Sequence, residues 1–136
     1  MHEEILTNEA KALLPLFARF EGYYLAGGTA LALHLGHRVS VDFDFFCQDA
    51  LPAHLLTRVK RVFPESSIAV TYAAPEQLDV VIRGVRVTFL QYPYPVMEPP
   101  VRYRSISLAS IREIAAMKAF AVGKRLAYKD YVDWYF

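Results

Sequence analysis

Hydrophobic residues recur at helical spacing over the first part of the chain and at strand spacing in its middle. The helical pattern covers residues 3–20, 29–35 and 51–63, and it returns at 107–125 and 128–136. Short segments rich in Val, Ile, Thr and aromatic residues predict strands at 23–26, 41–46, 67–72, 77–82 and 85–91. Residues 92–100 contain four prolines and predict an irregular linker.

The order of these elements predicts an α+β fold, in which a mixed β-sheet of about five strands is flanked by helices. Arg83 and Gly84 separate the last two strands by the two residues of a tight hairpin, so this pair is expected to be antiparallel. Ser107 or Ser110 is the expected N-cap of the helix that follows the linker.

Length and composition indicate a single globular domain over residues 1–136. Apolar residues make up 54% of the chain and charged residues 21%, which is typical of a folded protein with one core. The last predicted helix ends on Trp134, Tyr135 and Phe136 without a capping residue. Either these side chains dock on the core, or the C-terminal helical region is truncated.

The net charge and the cysteine content limit which partners and which cellular compartment are expected for the protein. The formal net charge is +1, so any contact with nucleic acid would depend on a local basic patch. Cys47 is the only cysteine, which excludes an internal disulfide and suits a reducing cytoplasm. No apolar run approaches the ~20 residues of a membrane span. We therefore expect a cytoplasmic domain with no membrane partner.

Two aspartates occupy one face of the predicted strand over residues 41–46. Side chains alternate along a strand, so Asp42 and Asp44 point to the same side, roughly 7 Å apart, while Phe43 and Phe45 pack on the other. Two like charges on one face repel unless something compensates them. Mg²⁺ is commonly held by one or two carboxylates together with substrate phosphates. The alternative is an acidic face that is simply solvated.

A glycine turn precedes the second predicted helix. Gly27 and Gly28 allow a close approach of the backbone to a ligand, and Thr29 opens the helix, whose N-terminus favours a phosphate. A plain strand-to-helix turn would have the same sequence. Arg38 either neutralises phosphate or pairs with the aspartates, and Ser40 is expected on the same face as the two aspartates because of its even spacing. Both Arg38 and Ser40 are predicted to bind the nucleotide.

A lysine interrupts the apolar stripe of the helix predicted after Ser110. The stripe consists of Ile111, Ile114, Ala115 and Val122. Lys118 lies on it and either reaches the surface along its alkyl stem or enters the site to meet a phosphate. Beyond it, Asp130 and Asp133 share a helix face, which is usually solvated. The alternative is that Asp130 orients Lys118 or acts as a base on the attacking hydroxyl.

Together these features resemble a known family. The run from Gly27-Gly28-Thr29 to Asp42-Phe43-Asp44 resembles the first motif of the AbiEii/AbiGii toxin family, nucleotidyltransferase-fold proteins of bacterial toxin–antitoxin and phage-abortive systems. Lys118, Arg125 and the run Lys129-Asp130-x-x-Asp133 resemble its C-terminal motif. The resemblance extends from about Tyr23 to Trp134.

This resemblance implies a polymerase-β-like core, a nucleoside triphosphate donor, Mg²⁺ as cofactor and an RNA (tRNA) or protein acceptor. It assigns the metal to Asp42 and Asp44, and the rest of the site to Gly27, Gly28, Thr29, Lys118, Lys129, Asp130 and Asp133. Many such enzymes carry a third carboxylate on a later strand. Here Thr88 occupies that position, and Asp79, one strand earlier, is the nearby substitute.

Three functional hypotheses follow from the sequence. The first is an active nucleotidyltransferase with a toxin-like role and a neutralising antitoxin as partner. The second is a catalytically inactive module of the same fold that binds a nucleotide or a protein partner, which the threonine at position 88 and the short C-terminus favour. The third, a metal-dependent phosphohydrolase, is compatible with the aspartates but explains the glycine turn and Lys118 less well.

Overall fold

A computed structural model describes residues 1–64 and 67–122 of the chain. The helices are α1 (Asn8–Leu13), α2 (Gly27–Leu35), α3 (Leu55–Val62) and α4 (Ile111–Val122). The strands are β1 (Tyr24–Ala26), β2 (Phe43–Cys47), β3 (Ile68–Ala74), β4 (Gln77–Ile82), β5 (Val85–Gln91), β6 (Val101–Tyr103) and β7 (Ile106–Leu108). The predicted α+β class is confirmed, but the described part of the sheet has seven strands rather than about five.

The sheet is mixed, with the strand order β3-β4-β5-β2-β1-β7-β6. β2 lies at its centre, parallel to β5 and antiparallel to β1. The predicted hairpin between β4 and β5 is confirmed: the strands are antiparallel, and Arg83 and Gly84 both have positive φ (52° and 80°). Positive φ at both turn residues matches the twist of the flanking strands.

A second hairpin, β6–β7, was not predicted from the sequence. Its turn residues, Arg104 and Ser105, adopt positive φ (48° and 67°) without the glycine or asparagine that usually marks such a turn. Ser107 therefore lies in a strand, and its prediction as a helix cap was wrong. Ser110 is the cap, because its Oγ accepts a hydrogen bond from the backbone N–H of Glu113 at 3.1 Å.

Several predicted boundaries were also wrong. The N-terminal helix is interrupted: Thr7 caps α1, and from Leu14 the chain continues as a 3-10 helix with Pro15 in its first turn. Proline removes a backbone donor, which favours such a break. β2 begins at Phe43 instead of residue 41, so Asp42 lies just before the strand.

One face of the sheet carries an aromatic core. The ring of Phe17 lies 4.9 Å from that of Phe43 and 4.7 Å from that of Phe45, and Phe63 of the segment after α3 packs edge-on against it. On the opposite face, α2 packs against α4, β1 and β2. The remaining part of that face, over β2, β5 and β4, forms the floor of an open cleft. None of the helices in the described ranges is long and apolar enough to cross a membrane.

Candidate active site

The glycine turn and the acidic strand meet at the cleft. Gly27 begins α2 with a φ of +72°, and a Cβ built on it would lie 2.9 Å from Oδ2 of Asp44. Real Cβ atoms do not approach an oxygen so closely, so only glycine fits here without a shift. No side chain caps the first turn of α2. The helix N-terminus, with its partial positive charge, therefore opens beside a carboxylate.

Asp42 and Asp44 both line this cleft, as predicted, and both are half-buried. Asp44 is held by β2, where it pairs with Ala26 of β1 on one side and Thr88 of β5 on the other. Asp42 is held differently, since it precedes the strand. Its backbone carbonyl accepts a hydrogen bond from Oγ1 of Thr29.

The two hydroxyls predicted to contact a nucleotide, Thr29 and Ser40, are buried and bonded to each other at 2.6 Å. Because the single hydroxyl hydrogen of Thr29 points to the carbonyl of Asp42, Ser40 must donate to Thr29. Both residues line the cleft, but their hydroxyls connect α2 to the segment that carries Asp42. In this arrangement the two hydroxyls position Asp42. Contact of either hydroxyl with a phosphate stays a prediction.

Lys118 and Arg38 reach the same cleft, each half-buried. The predicted stripe of α4 was partly wrong, because Ile111 and Ala115 are exposed. The buried side chains of the described part of α4 are Glu113, Ile114 and Met117. Lys118 lies at the edge of that buried face, where a long side chain can enter the cleft. Lys129, Asp130 and Asp133 lie outside the described residues, so their placement stays a prediction.

The strand register relates the acids to position 88. Thr88 of β5 pairs with Asp44 on one side and with Asp79 of β4 on the other, so the three side chains form a row on the cleft face. Nε2 of Gln77 donates to both carboxylate oxygens of Asp79, at 3.0 and 3.1 Å. Within residues 1–64 and 67–122, no group of three or more His, Cys, Asp or Glu side chains is placed to hold a metal ion. Asp42 and Asp44, which line the same cleft, are two carboxylates, and Mg²⁺ sites commonly use one or two.

Sequence reasoning missed the apolar end of the cleft and one buried acid. The apolar lining consists of Phe46, Leu90, Tyr92, Ile114 and Met117. Strand alternation could have found the first two, since they follow Asp44 and Thr88 by two residues. Glu113 is almost fully buried, and its Oε1 accepts from the backbone N–H groups of Met97 (2.6 Å) and Glu98 (3.2 Å). It fixes the proline-rich linker to α4.

Burial controls the ionisation of aromatic and thiol groups around the cleft. It raises the pKa of Tyr24 to about 12, and nearby Glu113 acts in the same direction. Burial also raises the pKa of Tyr92, helped by Tyr94 and Glu113, and that of the Cys47 thiol, helped by Asp49. The tyrosines are therefore neutral at physiological pH. The cleft encloses about 610 Å³, a volume typical of small-molecule sites.

Residues 11–77 match the family model described as "Nucleotidyl transferase AbiEii toxin, Type IV TA system". This segment of the chain is similar to the AbiEii nucleotidyltransferase family. The match includes the glycine turn and both cleft aspartates, and it ends at Gln77. β5 and α4, which contribute Thr88 and Lys118 to the cleft, lie beyond the matched residues.

One curated relative, an uncharacterized protein, and two solved structures are similar to most of this chain. The protein aq_aa25 of Aquifex aeolicus (strain VF5) is 34% identical over 116 residues, which are 84% of this chain and 56% of that protein. The chain thus spans a little over half the length of that relative. A putative nucleotidyltransferase from H. pylori superposes with a TM-score of 0.60 at 22% identity, covering 86% of this chain and 56% of the other.

The second structure is ANT(2")-Ia in complex with adenylyl-2"-tobramycin. It superposes with a TM-score of 0.60 at 15% identity and covers 94% of this chain and 86% of its own. At these identities the two structures establish the shared fold alone. The nucleotidyltransferase fold inferred from the resemblance is therefore confirmed.

Proposed function

We propose that this chain is a magnesium-dependent nucleotidyltransferase of the toxin–antitoxin type, which transfers a nucleotide from a nucleoside triphosphate to an RNA (tRNA) or protein acceptor. The observation that carries the proposal is the contact between Gly27 and Asp44. It brings a helix N-terminus, which favours phosphate, against a carboxylate, which favours a cation. A triphosphate that carries a bound metal ion needs a group that favours phosphate and a group that favours a cation next to each other.

The donor set suits magnesium. Asp42 and Asp44 offer hard oxygen ligands on one side of the cleft, and Mg²⁺ is usually bound by one or two carboxylates with phosphates and waters completing the shell. When bound, the ion would neutralise charge on the triphosphate. The Thr29–Ser40 pair supports this role because it anchors the backbone of Asp42.

The other groups of the cleft, from the backbone and from side chains, stabilise the phosphates and take part in the transfer. Backbone N–H groups at Gly28 and Thr29 and the cations of Arg38 and Lys118 stabilise the negative charge of the phosphates. The acceptor oxygen attacks the α-phosphorus, the bond from the α-phosphorus to the bridging oxygen breaks, and pyrophosphate leaves. Asp130 accepts the proton of the acceptor. The family resemblance implies that Asp130 completes the site together with Lys118, and that Lys129 and Asp133 support it.

Similarity to this family also supports a partner and a location. A chain of a type IV toxin family is expected to act in the cytoplasm and to be neutralised by a cognate antitoxin. The sole cysteine, which is buried at position 47, is compatible with a reducing compartment.

A second candidate function is a non-catalytic module that binds a nucleotide or a protein partner. The observation that favours it is Thr88, which stands between Asp44 and Asp79 where a third acid would complete a two-metal site.

Transfer of label distinguishes the two. The protein is incubated with radiolabelled nucleoside triphosphates, Mg²⁺ and total RNA, and labelled RNA, labelled protein and free phosphate are separated. Label transfer by the natural protein should fall about a hundredfold or more in Asp44→Asn, which weakens the metal site, and in Lys118→Ala, which removes a cation at the phosphates. Asp49→Asn, an exposed acid outside the cleft, is the matched control and should retain activity.

Binding of nucleotide without transfer would support the non-catalytic module, and release of phosphate alone would indicate hydrolysis. The toxin role is tested separately by growth. Expression of the natural chain should arrest growth, expression of Asp44→Asn should not, and co-expression of the neighbouring gene should relieve the arrest.

A further inference from the structure

Three side chains of the cleft belong to one irregular loop. Residues 36–42 join α2 to β2 without helix or strand, and this loop supplies Arg38, Ser40 and Asp42 to the cleft. The backbone of such a loop has no ladder of its own, so its geometry depends on the groups from other parts of the chain that bind it. The contacts of residues 36–42 therefore fix where Asp42 lies.

The N-terminal segment, residues 2–6, contacts this loop at two points. At the start of the loop, the ring of His2 lies against Gly36, where a Cβ would come within 2.6 Å of the His2 Nδ1. In the middle of the loop, the backbone N–H of Ser40 donates to the carbonyl of Ile5 at 3.1 Å. The segment therefore supports the loop from Gly36 to Ser40.

The N-terminal segment is itself firmly held. The backbone N–H of His2 donates to the carbonyl of Leu33 in α2 at 2.8 Å. The side chains of Ile5 and Leu6 are buried in the core. Because apolar burial is the larger contribution, these two side chains anchor the segment. The loop is thus supported by a fixed part of the molecule.

Glu3 connects the same segment to the β6–β7 hairpin. Its Oε1 accepts a hydrogen bond from the hydroxyl of Tyr103 at 2.8 Å and lies 2.8 Å from Nε of Arg104. Both charged side chains are partly exposed, so this pair contributes little stability. It orients the segment between α2 and the hairpin.

Ser40 transmits the support to Asp42. While its N–H is held by Ile5, its hydroxyl donates to Oγ1 of Thr29 at 2.6 Å, and Thr29 donates to the carbonyl of Asp42. Groups that orient a metal ligand from behind commonly change metal affinity by about ten- to a hundredfold when they are lost. Contacts of the N-terminal segment can therefore affect a metal that they do not touch.

We propose that His2 and Ile5 are positioning residues, which hold the loop of residues 36–42 so that Asp42 binds the metal ion of a metal-bound nucleotide. The inference rests on the proposed function, since it assumes that Asp42 holds Mg²⁺. The N-terminal segment lies outside the cleft lining and acts only through the loop.

Nucleotide affinity and hydrogen exchange together test this role. Calorimetry measures the affinity for Mg²⁺-ATP of the full chain and of a variant that lacks residues 2–5. The deletion removes the His2 ring and the Ile5 carbonyl, so affinity should fall about tenfold or more. Amide hydrogen exchange should become faster in residues 36–42, because Ser40 loses its backbone acceptor.

Two substitutions of His2 test the contact with Gly36 while Ile5 stays in place. His2→Ala should weaken Mg²⁺-ATP binding by a smaller factor than the deletion. His2→Phe keeps a flat ring against Gly36 and should restore the natural affinity. His54→Ala is the matched control, because His54 is also exposed and its side chain makes no cap bond at α3. It should bind as the natural chain does.

Phe63→Leu separates positioning from general stability. Phe63 is buried in the aromatic core on the other face of the sheet, so this variant should lose stability and keep its affinity. An equal loss of affinity in Phe63→Leu and in the deletion variant would overturn the positioning role. If the deletion variant does not fold, His2→Ala and His2→Phe decide.

The remaining outcomes distinguish this inference from the proposed function. Unchanged affinity and unchanged exchange in both the deletion variant and His2→Ala would overturn the positioning role and leave the proposed function intact. Failure of the natural chain to bind Mg²⁺-ATP would overturn both.

Discussion

At residue 27, a single methyl group would occupy space that Asp44 needs. The backbone there has a φ of +72°, which L-residues other than glycine adopt at a cost of about 1–2 kcal/mol. The close approach of Oδ2 of Asp44 adds a steric conflict at the candidate metal site. The choice of residue at position 27 is thus restricted to glycine for two reasons, the backbone conformation and the contact with Asp44.

Gly27→Ala should therefore lose both stability and ligand binding. We expect a loss of unfolding free energy of about 1–2 kcal/mol or more, measured by urea denaturation, and no detectable binding of Mg²⁺-ATP by calorimetry. Gly22→Ala is the control, because Gly22 has φ +86° and a Cβ there would meet nothing within 4 Å. It should lose similar backbone stability and keep its affinity. Equal affinities of the two variants would show that the contact with Asp44 is unimportant.

At the scale of elements, the chemistry depends on the register of three strands. β5 lies between β2 and β4, so Thr88 is a direct neighbour of both Asp44 and Asp79. The neutral hydroxyl of Thr88 separates Asp44 from Asp79. A third carboxylate at position 88 would be repelled by both of them. Because position 88 adjoins both aspartates, it is the position in the sheet where an added carboxylate would have the greatest effect on metal binding.

Thr88→Asp should make the protein less stable without metal and more responsive to it. Like charges on directly opposite strand positions cost up to about 1 kcal/mol, so the melting temperature in EDTA should fall. Added Mg²⁺ should raise it more than in the natural chain, because a ligand that binds only the folded state stabilises it in proportion to its affinity. Thr88→Asn is the neutral control of similar size. An identical Mg²⁺ response in both variants would place residue 88 away from the ion.

At the scale of the whole molecule, aromatic side chains pack on both faces of the sheet. Phe17, Phe43 and Phe45 form the core on one face, and Tyr24 and Phe46 stack on the other. Aromatic rings bury much area with specific geometry, which suits a small domain. Burial also couples the ionisation of tyrosine to folding.

The protein should lose stability in alkali as pH rises from 10 towards 12. The pKa of Tyr24 is raised from about 10 in the unfolded chain to about 12 in the folded one, and that of Tyr23 to about 12, each mainly by burial. Above pH 10 the unfolded chain releases protons that the folded chain retains, so unfolding becomes more favourable. Below pH 10 the stabilisation is complete.

Urea denaturation at pH 8 to 11.5 checks this expectation. Tyr24→Phe should flatten the alkaline decline by on the order of 2 kcal/mol at its upper end, because a unit of pKa corresponds to about 1.4 kcal/mol. Tyr72→Phe, with its ring half-exposed on β3, is the control. A decline of equal slope in both variants would contradict a role for Tyr24.

Much of the local structure could be predicted from the residues themselves. β4 and β5 were predicted with their observed limits, because alternating β-branched and aromatic residues on both sides of a two-residue turn are a strong local signal. Gly36, with φ +65°, ends α2 as expected of a C-terminal glycine. The β6–β7 hairpin was missed because Arg104 and Ser105 carry no turn signal.

The residue types of the candidate site were likewise evident in the sequence, but their neighbours were not. Alternation predicted that Asp42 and Asp44 face one side, and the glycine pair predicted a backbone that approaches something closely. Three contacts of the site join residues that are distant in the chain. Gly27 lies against Asp44, Thr29 and Ser40 anchor Asp42, and Glu113 holds the linker. Local propensity carries no information about such pairs.

The element types, the acidic and glycine motifs and the family resemblance could be inferred from the amino-acid sequence alone, because each depends on residues close together in the chain. Three features are visible only in the folded chain: β5 lies between Asp44 and Asp79, α4 delivers Lys118 to the cleft, and Phe46 and Tyr92 form its apolar end. These depend on strand order and helix packing, which are set by the burial of the whole core. The division of the cleft into a polar and an apolar end is a property of that packing.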